Sequence, residues 1–296
     1  MKLLLTGAYP YTQEQIEKLK AMGHQVVFVQ QEKDPIPDMN TFEYVVCSGL
    51  FLHHPIEKFS KLRYIQLTSA GLDRVPMDYI KEHGITIYNA GGVYSIPMAE
   101  FALSGVLSLY KQSKFFLQHQ REHRWEKHRG LLELSGKTAL IVGCGSVGTE
   151  CAKRFSAFGC RVLGVDLFPT PKTGYEKIYP ISQMDELLPQ SDVVVLTVPL
   201  TKGTKHLFDK ERLGEMKDGA VLVNIARGGI VDTEALIDTL HTKLFGAVLD
   251  VFEEEPLVED HPLWGLENVI LTPHNSFVGE GNNKRMFDLI CRNLER

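Results

Sequence analysis

Long apolar runs are missing from this 296-residue chain. No stretch approaches the ~18 consecutive apolar residues of a membrane span, and Leu3-Leu4-Leu5 is too short for a signal-peptide core. These absences predict a soluble, cytoplasmic protein with no membrane partner. Cysteine is sparse: Cys47, Cys144, Cys151, Cys160 and Cys291 are odd in number and show no C-x-x-C spacing. That excludes a disulfide framework and a structural zinc site, and predicts reduced, buried, small apolar residues. Positive charge is not in excess either. With 32 Lys and Arg against 37 Asp and Glu, net −5, there is no electrostatic footprint for a nucleic acid. Internal repeats and low-complexity tracts are also lacking.

What is present is a chain 44% hydrophobic, at a length where single cores usually divide into two. Short β-branched runs alternate with amphipathic stretches, the pattern of an α/β fold with parallel sheets and helical crossovers. Strands are predicted at 2–6, 25–29, 44–47, 64–68 and 86–88, and a helix over 12–22 that ends at Gly23. From Pro97 the pattern becomes one long apolar-rich helix reaching about His119, then a charged segment from Arg121 to Arg129. A second set of strands follows at 138–142, 161–165, 193–198, 220–224, 246–250 and 269–272. The expected architecture is two doubly wound parallel-sheet domains, residues 95–275 forming one and residues 1–94 plus 276–296 the other. The last helix, 282–296, has little second-domain sequence left to pack on and is expected to return to the first domain.

The segment Val142-Gly143-Cys144-Gly145-Ser146-Val147-Gly148 sets G-x-G-x-x-G between a strand and a helix over 147–158. The first glycine permits the tight turn, the second lets backbone approach a pyrophosphate, and the third allows close helix-to-strand packing, with phosphates at the helix N-terminus. The next strand ends in Asp166, 18 residues past Gly148, where a carboxylate can accept hydrogen bonds from the adenosine ribose. Leu167, Phe168 and Pro169 follow, with no Arg for a 2′-phosphate, so the pattern predicts NAD rather than NADP. The first strand runs into Gly7 without this fingerprint, which predicts a sheet without a nucleotide.

Three later strand ends each deliver a polar residue where open α/β sheets bind ligands. They are Asn224-Ile225-Ala226-Arg227-Gly228-Gly229, Asp250-Val251-Phe252-Glu253-Glu254-Glu255-Pro256 and Thr272-Pro273-His274-Asn275-Ser276. In this order after the glycine fingerprint, they resemble the signatures of the D-2-hydroxyacid dehydrogenase family, and the resemblance runs from about Ser69 to the C-terminus. It implies a catalytic triad of Arg227, Glu255 and His274, acting on a small 2-oxo or 2-hydroxy acid of the D configuration. Such chemistry needs these types. Hydride reaching C2 of a 2-oxo acid leaves negative charge on the carbonyl oxygen, so a proton donor such as His274 must lie within reach of it. A carboxylate beside the imidazole favours its charged form, the role implied for Glu255. Arg227 offers a planar fork to the substrate carboxylate.

The resemblance further implies that backbone amides of Ser69, Ala70 and Gly71 hold the substrate carboxylate and that Asp250 contacts the nicotinamide end of the cofactor. Val198 and Pro199 are expected on the adenosine side. Ser146, Val147, Thr204, Ile225 and Ala226 complete the expected cofactor-binding set, with the site in a cleft between the domains. A homodimer formed through the region of the long helix is also implied. Since the chain stops soon after its last helix, no appended regulatory module is expected, which argues against an allosterically controlled serine-biosynthesis enzyme. One departure from the family pattern is the turn Thr242-Lys243-Leu244, a residue short and without its usual glycine.

Other candidates read more plainly. His119, Glu122, His123, Glu126 and His128 are expected to form a solvated helix end rather than a metal site, Cys144 a small residue in the phosphate loop, and Leu50-Phe51 and His53-His54 part of a core. Two rival functions share the fold: a non-catalytic NAD-sensing interaction protein, and a formate or phosphite dehydrogenase, in which no carbonyl needs a proton.

Overall fold

A computed structural model describes residues 1–72 and 74–295. The chain divides into two compact units, Met1–Tyr94 with Gly279–Arg296, and Ser95–Val278. The second crossing between them thus falls at Gly279, three residues beyond the sequence-based boundary at 276.

The first unit holds β1 (Lys2–Thr6), α1 (Gln13–Ala21), β2 (Gln25–Val29), β3 (Tyr44–Cys47), β4 (Tyr64–Leu67), α2 (Met77–Glu82) and β5 (Thr86–Tyr88). Its strands are all parallel, in the order β2-β1-β3-β4-β5, which is the flavodoxin-like winding. Thr12 caps α1 in a reciprocal capping box with Gln15, and Gly23, at φ 87°, follows its end. Two apolar clusters, built around Leu3, Leu5 and Tyr44 and around Leu4, Val45 and Ile65, cover the two sheet faces.

Order reverses between β1 and β3, the place where such sheets take a ligand. Here the chain fills it with its own carboxylate. Glu32 Oε1 accepts from Thr6 Oγ1 (2.9 Å) and the Ser48 amide (2.6 Å), and Glu32 Oε2 from the Gly49 amide (2.7 Å). An internal anion thereby takes the amides that a phosphate would otherwise use.

In the second unit come α3 (Ser95–Tyr110), α4 (Ser113–Arg121), β6 (Thr138–Val142), α5 (Ser146–Ala157), β7 (Arg161–Asp166), β8 (Lys177–Pro180), α6 (Met184–Leu187) and β9 (Val193–Leu196). After them come α7 (Lys210–Glu215), β10 (Val221–Asn224), α8 (Thr233–Thr242), β11 (Gly246–Leu249) and β12 (Val269–Leu271). The strands are parallel, in the order β12-β11-β10-β9-β6-β7-β8. Counting from β6, this is the Rossmann winding 3-2-1-4-5-6 with a seventh strand added. Every residue of β9, β10 and β11 is buried, as a sheet covered on both faces requires.

Two readings of the sequence are corrected here. The long helix expected from Pro97 to His119 is two helices. After Tyr110 the backbone turns through Gln112, at φ 53°, and the Gln112 side-chain amide donates to the Leu109 carbonyl, ending the first helix at a polar step in the apolar run. The edge strand β8 was also missed, because four residues ending in proline and pairing with one neighbour carry almost no periodicity. At the departure noted after α8, Lys243 itself caps the helix at φ −140°, so no left-handed glycine is needed.

The last helix, α9 (Asn282–Leu294), belongs to the first unit; the expected final residue, Arg296, lies outside the described residues. Its backbone accepts from the Tyr9 hydroxyl at Asn283 (2.7 Å), and Asn293 Nδ2 donates to the buried Gln66 (2.7 Å). No helix among the described residues is long and apolar enough to cross a membrane.

Gly105 in the middle of α3 is explained by its neighbour. A Cβ there would lie 2.5 Å from Val248 Cγ1 of β11. Ala is the better helix former by about 1 kcal/mol, yet Gly105→Ala should lower the stability of this unit by about 1–3 kcal/mol through overpacking. Urea unfolding should show the loss, and Val248→Ala should recover part of it in the double variant; a stabilised Gly105→Ala protein would refute the packing argument.

Candidate active site

The glycine fingerprint occupies the switch point between β6 and β9. Gly143 has φ 95°, and a Cβ on it would lie 2.8 Å from Val198 Cγ1 and 2.9 Å from the Val198 amide. On Gly148 a Cβ would fall 2.1 Å from the Gly143 carbonyl oxygen. Around Gly145, by contrast, nothing stands within 4 Å of that position. Close turn, open approach and tight packing are thus divided among the three glycines as the chemistry of a pyrophosphate cradle requires. Ser146 and Val147 open α5, whose N-cap Gly145 provides no side-chain cap, so the first-turn amides are available to an anion.

Asp166 ends β7, its Oδ2 accepting from the Cys144 amide (2.7 Å) and its Oδ1 from the Phe168 amide (2.9 Å). These two bonds fix the orientation of the carboxylate. These residues fit an adenine dinucleotide on geometry alone. Val198 borders the glycine turn. Pro199 and Thr204 lie in the loop after β9, where the Thr204 hydroxyl closes the turn by donating to the Pro199 carbonyl (2.6 Å) and accepting from the Thr201 amide (2.7 Å). Ile225 is buried in the sheet core, so only its backbone is placed to border a ligand, and Ala226 is nearly as enclosed.

The three polar strand ends are drawn together by backbone packing. A Cβ on Gly228 would lie 1.8 Å from the Phe252 carbonyl carbon, so only glycine lets the Arg227 segment rest on the loop that carries Glu255. Asn224, 1% exposed, holds that segment: its Nδ2 donates to the Arg227 carbonyl (3.0 Å) and its Oδ1 accepts from the Ala226 amide (3.1 Å). Sequence reading passed over Asn224; an amide ending an otherwise apolar strand was the available signal. Arg227 Nη1 donates to the Ala226 carbonyl (2.7 Å), leaving the rest of the fork for another acceptor.

His274 Nδ1 and Glu255 Oε2 are 2.8 Å apart, each side chain a little over one-third exposed. Glu255 Oε1 accepts from the Phe252 amide (3.0 Å), which orients the carboxylate. Its neighbour Glu253 does different work. It accepts from His206 Nε2 (2.6 Å) and from the amide and hydroxyl of Thr233 at the start of α8. Partial burial raises the Glu253 pKa, but the Thr233 and His206 hydrogen bonds outweigh it and hold the carboxyl below its ordinary value.

His274 sits at φ 50°, a left-handed conformation that costs a side-chain-bearing residue energy and needs support. Asp250 supplies it. This wholly buried residue accepts on its backbone carbonyl from the His274 amide (2.8 Å), and on its carboxylate from Thr272 Oγ1 (2.7 Å) and the amides of Asn275 (2.7 Å) and Ser276 (2.9 Å). Asp250, read from sequence as a cofactor contact, is thus engaged with the loop bearing His274.

The loop Ser69-Ala70-Gly71 belongs to the first unit. The Ser69 carbonyl accepts from the Ala90 amide (2.9 Å), the Ala70 carbonyl from Asn89 Nδ2 (2.8 Å), and the Gly71 carbonyl from Ser69 Oγ (3.1 Å). Its carbonyl side is thereby fixed. Of the weaker candidates, His119 is buried, with Nδ1 on the Phe115 carbonyl (2.8 Å) and Nε2 on Glu126 (3.1 Å), a structural pairing.

Comparison with known proteins shows the family. Residues 103–276 match the family described as D-isomer specific 2-hydroxyacid dehydrogenase, NAD binding domain. The chain is 35% identical over 245 residues to an (S)-sulfolactate dehydrogenase of Chromohalobacter salexigens, covering 81% of this chain and 79% of that one. It is 37% identical over 242 residues to a glyoxylate reductase of Thermofilum pendens, covering 79% and 71%. A solved D-isomer specific 2-hydroxyacid dehydrogenase family protein from Aeromonas salmonicida superposes with a TM-score of 0.86 at 31% identity, over 100% of this chain and 94% of that one. The chain belongs to the D-isomer specific 2-hydroxyacid dehydrogenase family, and is an NAD-dependent oxidoreductase.

Burial makes the cysteines of this unit poor nucleophiles. It pushes the thiols of Cys144 and Cys160 up to about 11 and that of Cys151 up to about 12. At pH 8 only about one thiol in a thousand is then ionised at Cys144. Iodoacetamide at pH 8 should leave these three unmodified in the folded protein and label them in urea; prompt labelling of native Cys144 would show that the phosphate loop is open to solvent.

Proposed function

We propose that the protein interconverts a small 2-oxo acid and its D-2-hydroxy acid with NAD(H), using His274 as proton donor and acceptor, Glu255 as its partner and Arg227 as the anchor for the substrate carboxylate. The observation that carries this reading is the 2.8 Å pairing of His274 Nδ1 with Glu255, made by a residue held at φ 50°. NAD, when bound, supplies or accepts the hydride; the chain does the rest. Because Nδ1 is engaged, Nε2 is the atom left to exchange a proton with the substrate oxygen. Glu255 fixes the ring's tautomer and orientation and balances the charge of the imidazolium, the form that donates. In the oxidative direction the neutral ring takes the proton back through the same nitrogen.

Arg227 meets a carboxylate with its free guanidinium N–H groups, which aligns C2 and polarises the carbonyl. The amides of Ser69, Ala70 and Gly71 are assigned to the same carboxylate, the fixed carbonyl side of their loop being the supporting observation. Gly143, Gly145, Ser146, Val147 and Gly148 are assigned to the pyrophosphate and Asp166 to the adenosine ribose. Val198, Pro199, Thr204, Ile225 and Ala226 are assigned to the walls of the cofactor site. Asp250 and Asn224 are positioning residues. The named relatives, which act on sulfolactate and glyoxylate, support a short, acidic substrate.

The decisive assay follows NADH absorbance with glyoxylate, hydroxypyruvate, pyruvate and bulkier 2-oxo acids. One of the short acids should be reduced, and His274→Ala should lower the rate by about 10²–10⁴-fold, with Glu255→Gln sharply reduced at neutral pH. Turnover of formate or phosphite that survives Glu255→Gln would replace this reading with the dehydrogenase that needs no proton donor. NADH binding without turnover of any of these would favour the sensing protein.

We also assign a homodimer to this chain. Trp125 is 97% exposed on the segment after α4, and Phe116, Leu117 and Leu131 are exposed nearby in sequence, an apolar group that a second copy would cover. Light scattering should give the mass of two chains, and Trp125→Asp should shift it toward one; an unshifted monomer mass in the wild type would dismiss the assignment.

A further inference from the structure

We infer that Lys172 sets how this protein discriminates between NADH and NADPH. Three residues after Asp166 are apolar, which from sequence left nothing to receive a 2′-phosphate. Lys172 stands six residues on, beyond Pro169 and Pro171, and the fold brings it back. Its ammonium donates to the carbonyl of Cys144, the residue whose amide donates to Asp166. One residue of the phosphate loop therefore separates a carboxylate from an ammonium.

Lys172 lies on a coil, but the coil is moored immediately after it. Gly174, at φ 93°, meets the backbone of α5 so closely that a Cβ would lie 2.7 Å from the Lys153 amide nitrogen. Tyr175 then packs its ring against Gly164 of β7, 2.8 Å from where a Cβ would stand. Leu167 and Phe168, by contrast, are 73% and 79% exposed. The coil is thus fixed at the Lys172 end.

The chemistry follows from the charges. Asp166 accepts hydrogen bonds from ribose hydroxyls and repels a 2′-phosphate. The Lys172 ammonium, held on the Cys144 carbonyl, has further N–H donors to turn toward such a phosphate. With NADH these donors have no anion to meet at the 2′ position, and Lys172 stays on the Cys144 carbonyl. The carboxylate thus favours NAD while the lysine keeps the preference shallow, so that NADPH remains a usable ligand. Lys172 touches the cofactor only when the phosphate is present, and it acts on binding rather than on the transfer itself.

This inference rests on the assignment of Asp166 to the ribose. It is tested by titrating the nicotinamide fluorescence of NADH and NADPH with the full-length protein, for wild type, Lys172→Met and Lys172→Arg. Lys172→Met keeps the apolar stem and removes the charge. We expect wild-type Kd values within about tenfold of each other, NADPH weakened at least about tenfold by Lys172→Met with NADH nearly unchanged, and NADPH binding kept by Lys172→Arg. The weakening should shrink at high salt. NADPH affinity unchanged in Lys172→Met, or both cofactors weakened equally, overturns the inference while leaving the ribose assignment standing. NADH affinity unchanged in Asp166→Ala overturns both.

Discussion

The buried carboxylate of Asp250 is the interaction on which the candidate site depends. A wholly buried charge is costly unless its acceptor positions are filled, and here Thr272, Asn275 and Ser276 fill three of them while the backbone carbonyl takes the His274 amide. The loop after β12 is therefore wrapped around the end of β11 and has few other places to go. That hold explains why His274 can occupy a left-handed backbone conformation. With its backbone so placed, the imidazole reaches Glu255, itself oriented by the Phe252 amide. A buried charge thus sets the position of an exposed titratable pair.

The two sheets solve the same problem in opposite ways. Parallel sheets covered on both faces leave their polar groups little room except at strand ends, and the reversal of strand order opens a crevice there. In the first unit Glu32 occupies the crevice and saturates the Ser48 and Gly49 amides. In the second, Gly145 leaves it open and α5 begins without a side-chain cap. The contrast accounts for one nucleotide fingerprint in a chain with two similar windings. Glu253 and Glu255 divide in the same manner, one clamping the start of α8 and the other facing His274.

Much of this was legible in the residues because its causes are local. Period-two and β-branched runs marked the strands, Thr12 and Gly23 bracketed the first helix, and the spacing of Gly143, Gly145 and Gly148 before Asp166 marked the cradle. The break at Gln112 and the edge strand β8 were not legible. In the first case a polar step inside an apolar run is compatible with either one helix or two until the rest of the chain packs against it. In the second, an edge strand ending in proline has too few partners to impose a pattern.

By itself, the sequence determined the α/β class, the nucleotide fingerprint and the residue types available for proton transfer, since each depends on neighbours within about 20 positions along the chain. Only the tertiary structure decided which groups meet. In the acidic run 253–255 the resemblance pointed to Glu255, but the clamping role of Glu253 on His206 and Thr233 appears only in the fold. Lys172 carries no motif, yet the fold brings its ammonium 28 residues back along the chain onto the carbonyl of Cys144 in the phosphate loop. Hydrogen bonds between residues far apart in sequence exist only once the sheets have brought strand ends together, so pairing, burial and backbone strain belong to the fold rather than to any segment of the chain.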